Sequence, residues 1–434
     1  MDSRGEDTCA AYPSLQYATE SISSDGVTFA PLLSEIEKPI AYWSAPDGTE
    51  LLSFGIAEAI SLPSSAGIAV IQEKAEKINT EIQYTGPACG RPRYIGAARF
   101  DGRSVSDAHW KSLPQHWFFL PKQQLYSNES GVWHTTVVGA ENDINLRTEL
   151  SEEVTLPEIS TTSSDPKEET WKSHVQSVVD AINRQEVSKV VLAHRRHLTL
   201  TEPVRPEHLA VRLREQNPGS YVTILQPAPD TLFAAATPEL LVERTADTVR
   251  SAALAGSQER GADEVSDSQL SHELQGSAKN SHEHELVVDS ITNRLQQQNG
   301  SVVIGDRSVQ QFRGVQHLHT PISATFNTTP HIIDLVAELH PTPAVGGAPR
   351  NAALEKMQEA ESFDRGWYAA PIGWFDSAGN GSFAIGIRSA LFAGRTVTAY
   401  AGAGIVAESN PLSEWNELQW KYEPICGLFE ADSP

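Results

Sequence analysis

The sequence predicts an α+β fold, with large antiparallel β-sheets layered with helices on the outside. Three observations point to it. Strand-like runs such as "KVVLAHRRHLTL", "YVTILQP", "TLFAAATPELLVER" and "TVRSAALAG" follow one another with only short turns between them. Short turns suit antiparallel neighbours, because parallel strands need long crossovers. Apolar stripes of helical period recur between these runs, and neither an internal repeat nor a low-complexity tract interrupts them.

Taken in order, residues 1–150 mix short strand-like runs such as "GIAVIQ" with Pro and Gly breaks, and carry no motif with a readable chemistry. Residues 151–166, "SEEVTLPEISTTSSDP", are polar and rich in Ser and Thr, and read as a linker. A helix follows, with Asp165 as its cap, Pro166 in its first turn, and Trp171, Val175, Val178, Val179 and Ile182 as one stripe. The strand-like runs come next, then a helix over 281–297, the segment "VQHLHTPISATF" and another helical region. Three more strand-like runs, "YAAPIGWFD", "GSFAIGIRSALFAG" and "RTVTAYAGAGIVA", lead to a last helix from about Pro411 to Tyr422.

Composition narrows the function classes. The chain of 434 residues is 39% hydrophobic and 21% charged, which is ordinary globular make-up with ample length for a large core. Net charge is −23 and the pI is near 5.0, so the surface repels nucleic acid and anionic membrane. No apolar run is long enough to span a bilayer. The start, "MDSRGEDTCAAYPS", reads as no secretory signal. Cys9, Cys89 and Cys426 are far apart and suggest a reduced, cytoplasmic setting. Lysine is scarce, 11 against 22 arginines, so each lysine within a motif merits inspection.

Residues 280–289, "NSHEHELVVD", look at first like a zinc site. The H-E-x-x-H pattern fails, because the second histidine would fall on Leu286. On a helix Glu283 shares a face with Leu286, Val287, Ile291 and Leu295. It is therefore either a carboxylate at the end of a buried stripe, needing a cation, a proton or a hydrogen-bond partner, or a solvated first-turn residue. His282 and His284 read as surface residues. In the last helix, Glu414, Glu417 and Lys421 project to one side. A solvated Glu417–Lys421 pair is the plain explanation; three glutamates without histidine would instead suit a hard ion with oxygen ligands, Mg²⁺.

From residue 165 to 430 the chain resembles the chorismate-utilising enzymes. The resemblance rests on "SKVVLAHR", "TPELLVER", "LAGSQERG", "SHEHELV", "VQHLHTPIS", "LHPTPAVGG", "FDRGWYAAPIGW", "FAIGIRSA", "YAGAGIV" and "SEWNEL" followed by Lys421, in that order. Residues 1–150 carry none of these motifs and are expected to form an N-terminal subdomain of the same fold, with 165–430 the catalytic domain. Within the family the isochorismate synthases are the nearest likeness. The resemblance implies chorismate as substrate, with water added at C2 and the C4 hydroxyl leaving. It implies Lys189 as general base and Glu239 as general acid, the latter needing a raised pKa. Glu283 and Glu417 match the Mg²⁺ ligands, with Glu414 ligating through water. Asn280 stands where the family usually has an acidic residue. Arg388 and Tyr368 match the groups holding the enolpyruvyl carboxylate, and an Arg fork suits a planar carboxylate. Gly256, Gly402 and Gly404 match places where backbone amides approach the substrate. His317 matches a histidine near the departing hydroxyl, and Lys421 a lysine near the ring carboxylate.

Ammonia-using relatives typically carry glutamine at the position of Lys189 and rely on a glutaminase partner. Lys189 thus favours water as nucleophile and no glutaminase subunit. Salicylate synthases share the lysine but usually carry threonine at the position of Ala344. The apparently complete set of base, acid and metal ligands argues against a non-catalytic binding module. Menaquinone synthesis is the expected pathway, with siderophore synthesis the alternative.

Overall fold

The computed structural model describes residues 14–22, 28–63, 66–101, 107–111, 113–140, 150 and 153–430. The opening "MDSRGEDTCAAYP" with Cys9, and the first two residues of the expected linker, lie outside the described residues. No helix among the described residues is long and apolar enough to cross a membrane.

The chain is built on one continuous ladder of strands. Ile159–Asp165 pairs with Lys189–Leu200, which pairs with Thr396–Ile405, then Ser389–Ala393, Thr231–Thr237 and Tyr221–Ala228. From there the ladder passes into the N-terminal residues: Ile40–Ser44, Glu50–Leu62, His116–Asn128 and Arg93–Ala97. It returns through Pro371–Asp376, Gly381–Ile385, Leu240–Thr245, Thr248–Glu259 and Val315–Thr325. Every pairing in this series is antiparallel. Leu15–Ile22 with Ile82–Thr85 is a parallel pair to one side of it. Strands from the first 150 residues thus lie in the middle of the series, between two halves contributed by the later chain.

The segment expected as a linker is partly a strand. Ile159–Asp165 is the edge of the ladder, although four consecutive positions from Ser160 to Ser163 are exposed. An exposed edge strand needs no apolar face, which explains its linker-like composition. The next helix runs from Glu168 to Asn183 and is preceded by Lys167, not capped by Asp165. Asp165 ends the strand and pairs with Arg195. The stripe itself is as expected: Trp171, Val175, Val178, Val179 and Ile182 are all buried.

Two helices lean on the ladder where it matters for chemistry. Ala278–Gln297 packs on Thr248–Glu259, and Pro411–Cys426 packs on Thr396–Ile405. Ser277 caps the first helix by accepting from Asn280 N, and Asn410 caps the second by accepting from Leu412 N and Ser413 N.

Candidate active site

Eight of the expected site residues line one cleft, and Lys189, Gly256, Glu414 and Glu417 do not line it. It is lined by Glu239, Glu283, His317, Tyr368, Arg388 and Lys421 among others. Gly402, Gly404 and Ala344 also line it. Its walls come from several strands, the bulge beside Ser257 and the two helices, not from a single element. Residues far apart in sequence therefore meet there.

Lys189 opens its strand and is fully buried, just behind the cleft wall. Its Nζ donates to Glu283 Oε1 across 2.9 Å. Burial works against the Glu283 carboxylate, but the Lys189 charge and hydrogen bond, with Lys421 and Lys279 behind, outweigh it and hold its pKa below the ordinary glutamate value. Glu283 is therefore not the solvated first-turn residue; its side chain is 14% exposed and aimed inward. Gly404 makes room for this pair. A Cβ there would lie 2.8 Å from Glu283 Oε1 and 3.0 Å from Lys189 Cε.

Glu239 sits between two strands, pinned by its own N–H to Thr237 Oγ1 at 3.2 Å and by its carbonyl, which accepts from Ile385 N at 2.9 Å. Burial raises its pKa to about 7, against the opposing pull of the Lys189, Arg388 and Lys421 charges. A carboxyl that keeps its proton near neutrality can serve as a general acid.

Arg388 is a buried cation in the lining of the cleft. Burial lowers its pKa to about 10, so it still carries its charge at neutral pH. It is a non-glycine residue at φ 50°, a left-handed conformation that costs energy and recurs at functional sites. Among the described residues the one side chain hydrogen-bonded to its guanidinium is His317, leaving most of its N–H groups for a ligand. Burial first, then the charges of Arg388 and Lys421, hold the His317 ring far below the ordinary histidine value, so it is neutral. Tyr368 stacks on Tyr400 with centroids 5.1 Å apart, and burial pushes its phenol up to about 12, so it stays a donor. Gly402 leaves space for its hydroxyl, which a Cβ would approach to 2.7 Å.

The three glutamates each have a lysine. Lys189 holds Glu283, Lys279 holds Glu414 at 3.0 Å, and Lys421 holds Glu417 at 2.5 Å. Lys421 also donates to Gly402 O at 2.8 Å. Burial, and then the neighbouring Glu417, raise the Glu414 pKa, so these carboxylates feel one another. Glu414 Oε2 is buried without a hydrogen bond. The donor chemistry fits a hard divalent cation: oxygens only, one of them a buried lone pair lacking a partner. Among the described residues no three acidic or histidine side chains close around a single ligation point, so the lysine pairs must open for an ion to be enclosed.

Three features escaped the sequence. His284 is buried, not a surface residue, bonded to Ala255 O at 3.2 Å and Thr320 Oγ1 at 2.8 Å; it joins the helix to the sheet. Lys279 belongs to the carboxylate group, and its scarcity as a residue type was the available signal. Ser257, next to Gly256, contacts His317 at 3.1 Å. Gly256 is a bulge at φ 76° whose missing Cβ admits the Asn280 backbone at 3.0 Å, so it fits helix to sheet, while its neighbours Ala255 and Ser257 line the cleft.

The fold and this cleft, with a buried carboxyl and a buried arginine in its lining and a buried lysine behind, are those of an enzyme. The chain belongs to the chorismate-binding enzyme family, whose model matches residues 7–430. It is 34% identical over 355 residues to the isochorismate synthase MenF of Bacillus subtilis, covering 79% of this chain and 75% of that one. It is 31% identical over 420 residues to the salicylate biosynthesis isochorismate synthase of Pseudomonas aeruginosa, covering 91% and 86%. The solved menaquinone-specific isochorismate synthase MenF of Escherichia coli shares the fold, with a TM-score of 0.81 at 24% identity, covering 97% of this chain and 96% of that one.

Proposed function

We propose that this protein is an isochorismate synthase, which converts chorismate to isochorismate. The observation that carries the reading is Glu239, a carboxyl buried so as to keep its proton near pH 7 in the same cleft as the Arg388 guanidinium. Arg388 and Tyr368 hold the enolpyruvyl carboxylate, and Lys421 lies near the ring carboxylate. Lys189 takes a proton from the water that adds at C2. The ring double bonds shift, and Glu239 gives its proton to the hydroxyl leaving C4. One water enters and one leaves, so the reaction is an isomerisation.

Glu283 and Glu417, with Glu414 through water, are the residues that would hold Mg²⁺. When bound, the ion supplies positive charge to the ring carboxylate.

Lys189 and Ala344 favour water addition without loss of pyruvate or entry of ammonia, so no glutaminase partner is needed. Menaquinone synthesis in the cytoplasm is the proposed setting. The test is incubation of purified protein with chorismate and Mg²⁺, with products separated by chromatography. Isochorismate is expected; salicylate with pyruvate would reassign the chain to salicylate synthesis.

A further inference from the structure

The cleft holds a hydrogen-bonded series whose direction can be assigned atom by atom. Arg388 Nη2 lies 3.2 Å from His317 Nε2. A guanidinium has donors only, so Nε2 must present its lone pair. A neutral imidazole with a lone pair on Nε2 carries its hydrogen on Nδ1. Nδ1 lies 3.1 Å from Ser257 Oγ, which therefore accepts. The Gly256 carbonyl also faces the ring. The bulge at Gly256 sets this up: the register slips between Ala255 and Ser257, placing Ser257 directly opposite His317 on the neighbouring strand.

We propose that Ser257 is a positioning residue that fixes His317 as the Nδ1–H tautomer, so that Nε2 holds the Arg388 guanidinium ready for the substrate carboxylate. The proposal rests on the reading of Arg388 as the carboxylate-holding group. With the other tautomer, an imidazole N–H and a guanidinium N–H would point at each other, and Arg388 would turn away. His317 then acts through Arg388 and donates no proton to the departing hydroxyl, a step left to Glu239.

The tautomer is read directly by two-bond ¹H–¹⁵N correlation on protein labelled at its 14 histidines, with His317→Gln identifying the signal. The wild type should show His317 protonated at Nδ1. Ser257→Ala should lose that single tautomer and raise KM for chorismate about fivefold to tenfold, the range for one lost hydrogen bond, with kcat within about threefold. Ser257→Thr, which keeps the hydroxyl, should restore both. An Nε2–H ring in the wild type overturns the proposal and needs no variant. So does an unchanged tautomer in folded Ser257→Ala, which would leave the Gly256 carbonyl as the holder. So does a rise in KM that threonine fails to reverse. Wild-type protein that does not turn over chorismate would refute the isochorismate synthase reading instead, and the tautomer measurement would still decide this one.

Discussion

Lys189 Nζ donates to Glu283 Oε1 across 2.9 Å, so the assigned base and an assigned metal ligand hold each other in the structure. The pair is buried on the lysine side, and a glycine with no room for a Cβ stands over it. Base chemistry at Lys189 therefore depends on what Glu283 is doing.

Lys189→Ala should lose about 10²–10⁴-fold in kcat, the usual contribution of a positioned base, with a smaller change in substrate affinity. Lys189→Gln is more informative, since it copies the residue typical of ammonia-using relatives. Single-turnover product analysis at high pH with ammonium should find what activity remains favouring an aminated product. Near-normal isochorismate formation would remove the lysine from the mechanism.

Glu239 makes two pH-dependent predictions. An acid must start protonated, so kcat/KM should fall as pH rises above about 7, and Glu239→Gln should lose about 10²–10⁴-fold in kcat. Stability follows the same proton. The folded value near 7 lies above the ordinary 4.5, so the contribution is complete below 4.5 and is lost as pH rises through about 7. Glu239→Gln, fixed in the neutral form, should become more stable than wild type by up to roughly 3 kcal/mol at about pH 8. Denaturant unfolding at about pH 5 and about pH 8 checks this; an equal difference at both would contradict it.

The carboxylates should separate by their partners. Glu283→Gln leaves the buried Lys189 without its carboxylate partner, so it should destabilise by about 3 kcal/mol. Glu414→Gln removes a carboxylate raised by burial and by Glu417, and should be neutral or stabilising. Glu283→Gln and Glu417→Gln should both weaken Mg²⁺ binding, measured by calorimetry on folded protein. Unchanged Mg²⁺ binding in both would return these residues to a purely structural role.

Gly404→Ala should fold but work poorly. The backbone there is ordinary strand and accepts alanine, yet the new methyl would meet Glu283 Oε1 at 2.8 Å. We expect at least about tenfold loss in kcat, since small displacements at reacting groups are costly. Wild-type kcat with unchanged unfolding would contradict the close approach.

The parts of this account legible in sequence were those with a period or a motif. The stripe from Trp171 to Ile182 announces a helix because one face is buried, and Val287, Ile291 and Leu295 do the same. Glu283 can be placed on that face but not given a partner, because Lys189 is 94 residues away and arrives on a strand. The strand Ile159–Asp165 stayed hidden because an exposed edge has no apolar alternation to read. His284 was misjudged for a related reason: its burial comes from hydrogen bonds to Ala255 and Thr320, which no local pattern encodes. Residues 1–150 gave isolated strands without their place, since that place lies between Tyr221–Ala228 and Pro371–Asp376.

In the proposed reaction, water activated by Lys189 adds at C2 of chorismate while Glu239 protonates the hydroxyl leaving C4. The most direct test incubates the purified protein with chorismate and Mg²⁺ in H₂¹⁸O, without ammonia, and resolves the products by chromatography with mass detection. We expect isochorismate carrying one ¹⁸O at C2, and its return to chorismate when isochorismate is supplied. Isochorismate without the label, salicylate with pyruvate as the main products, or turnover only when ammonia and a glutaminase are added would contradict it.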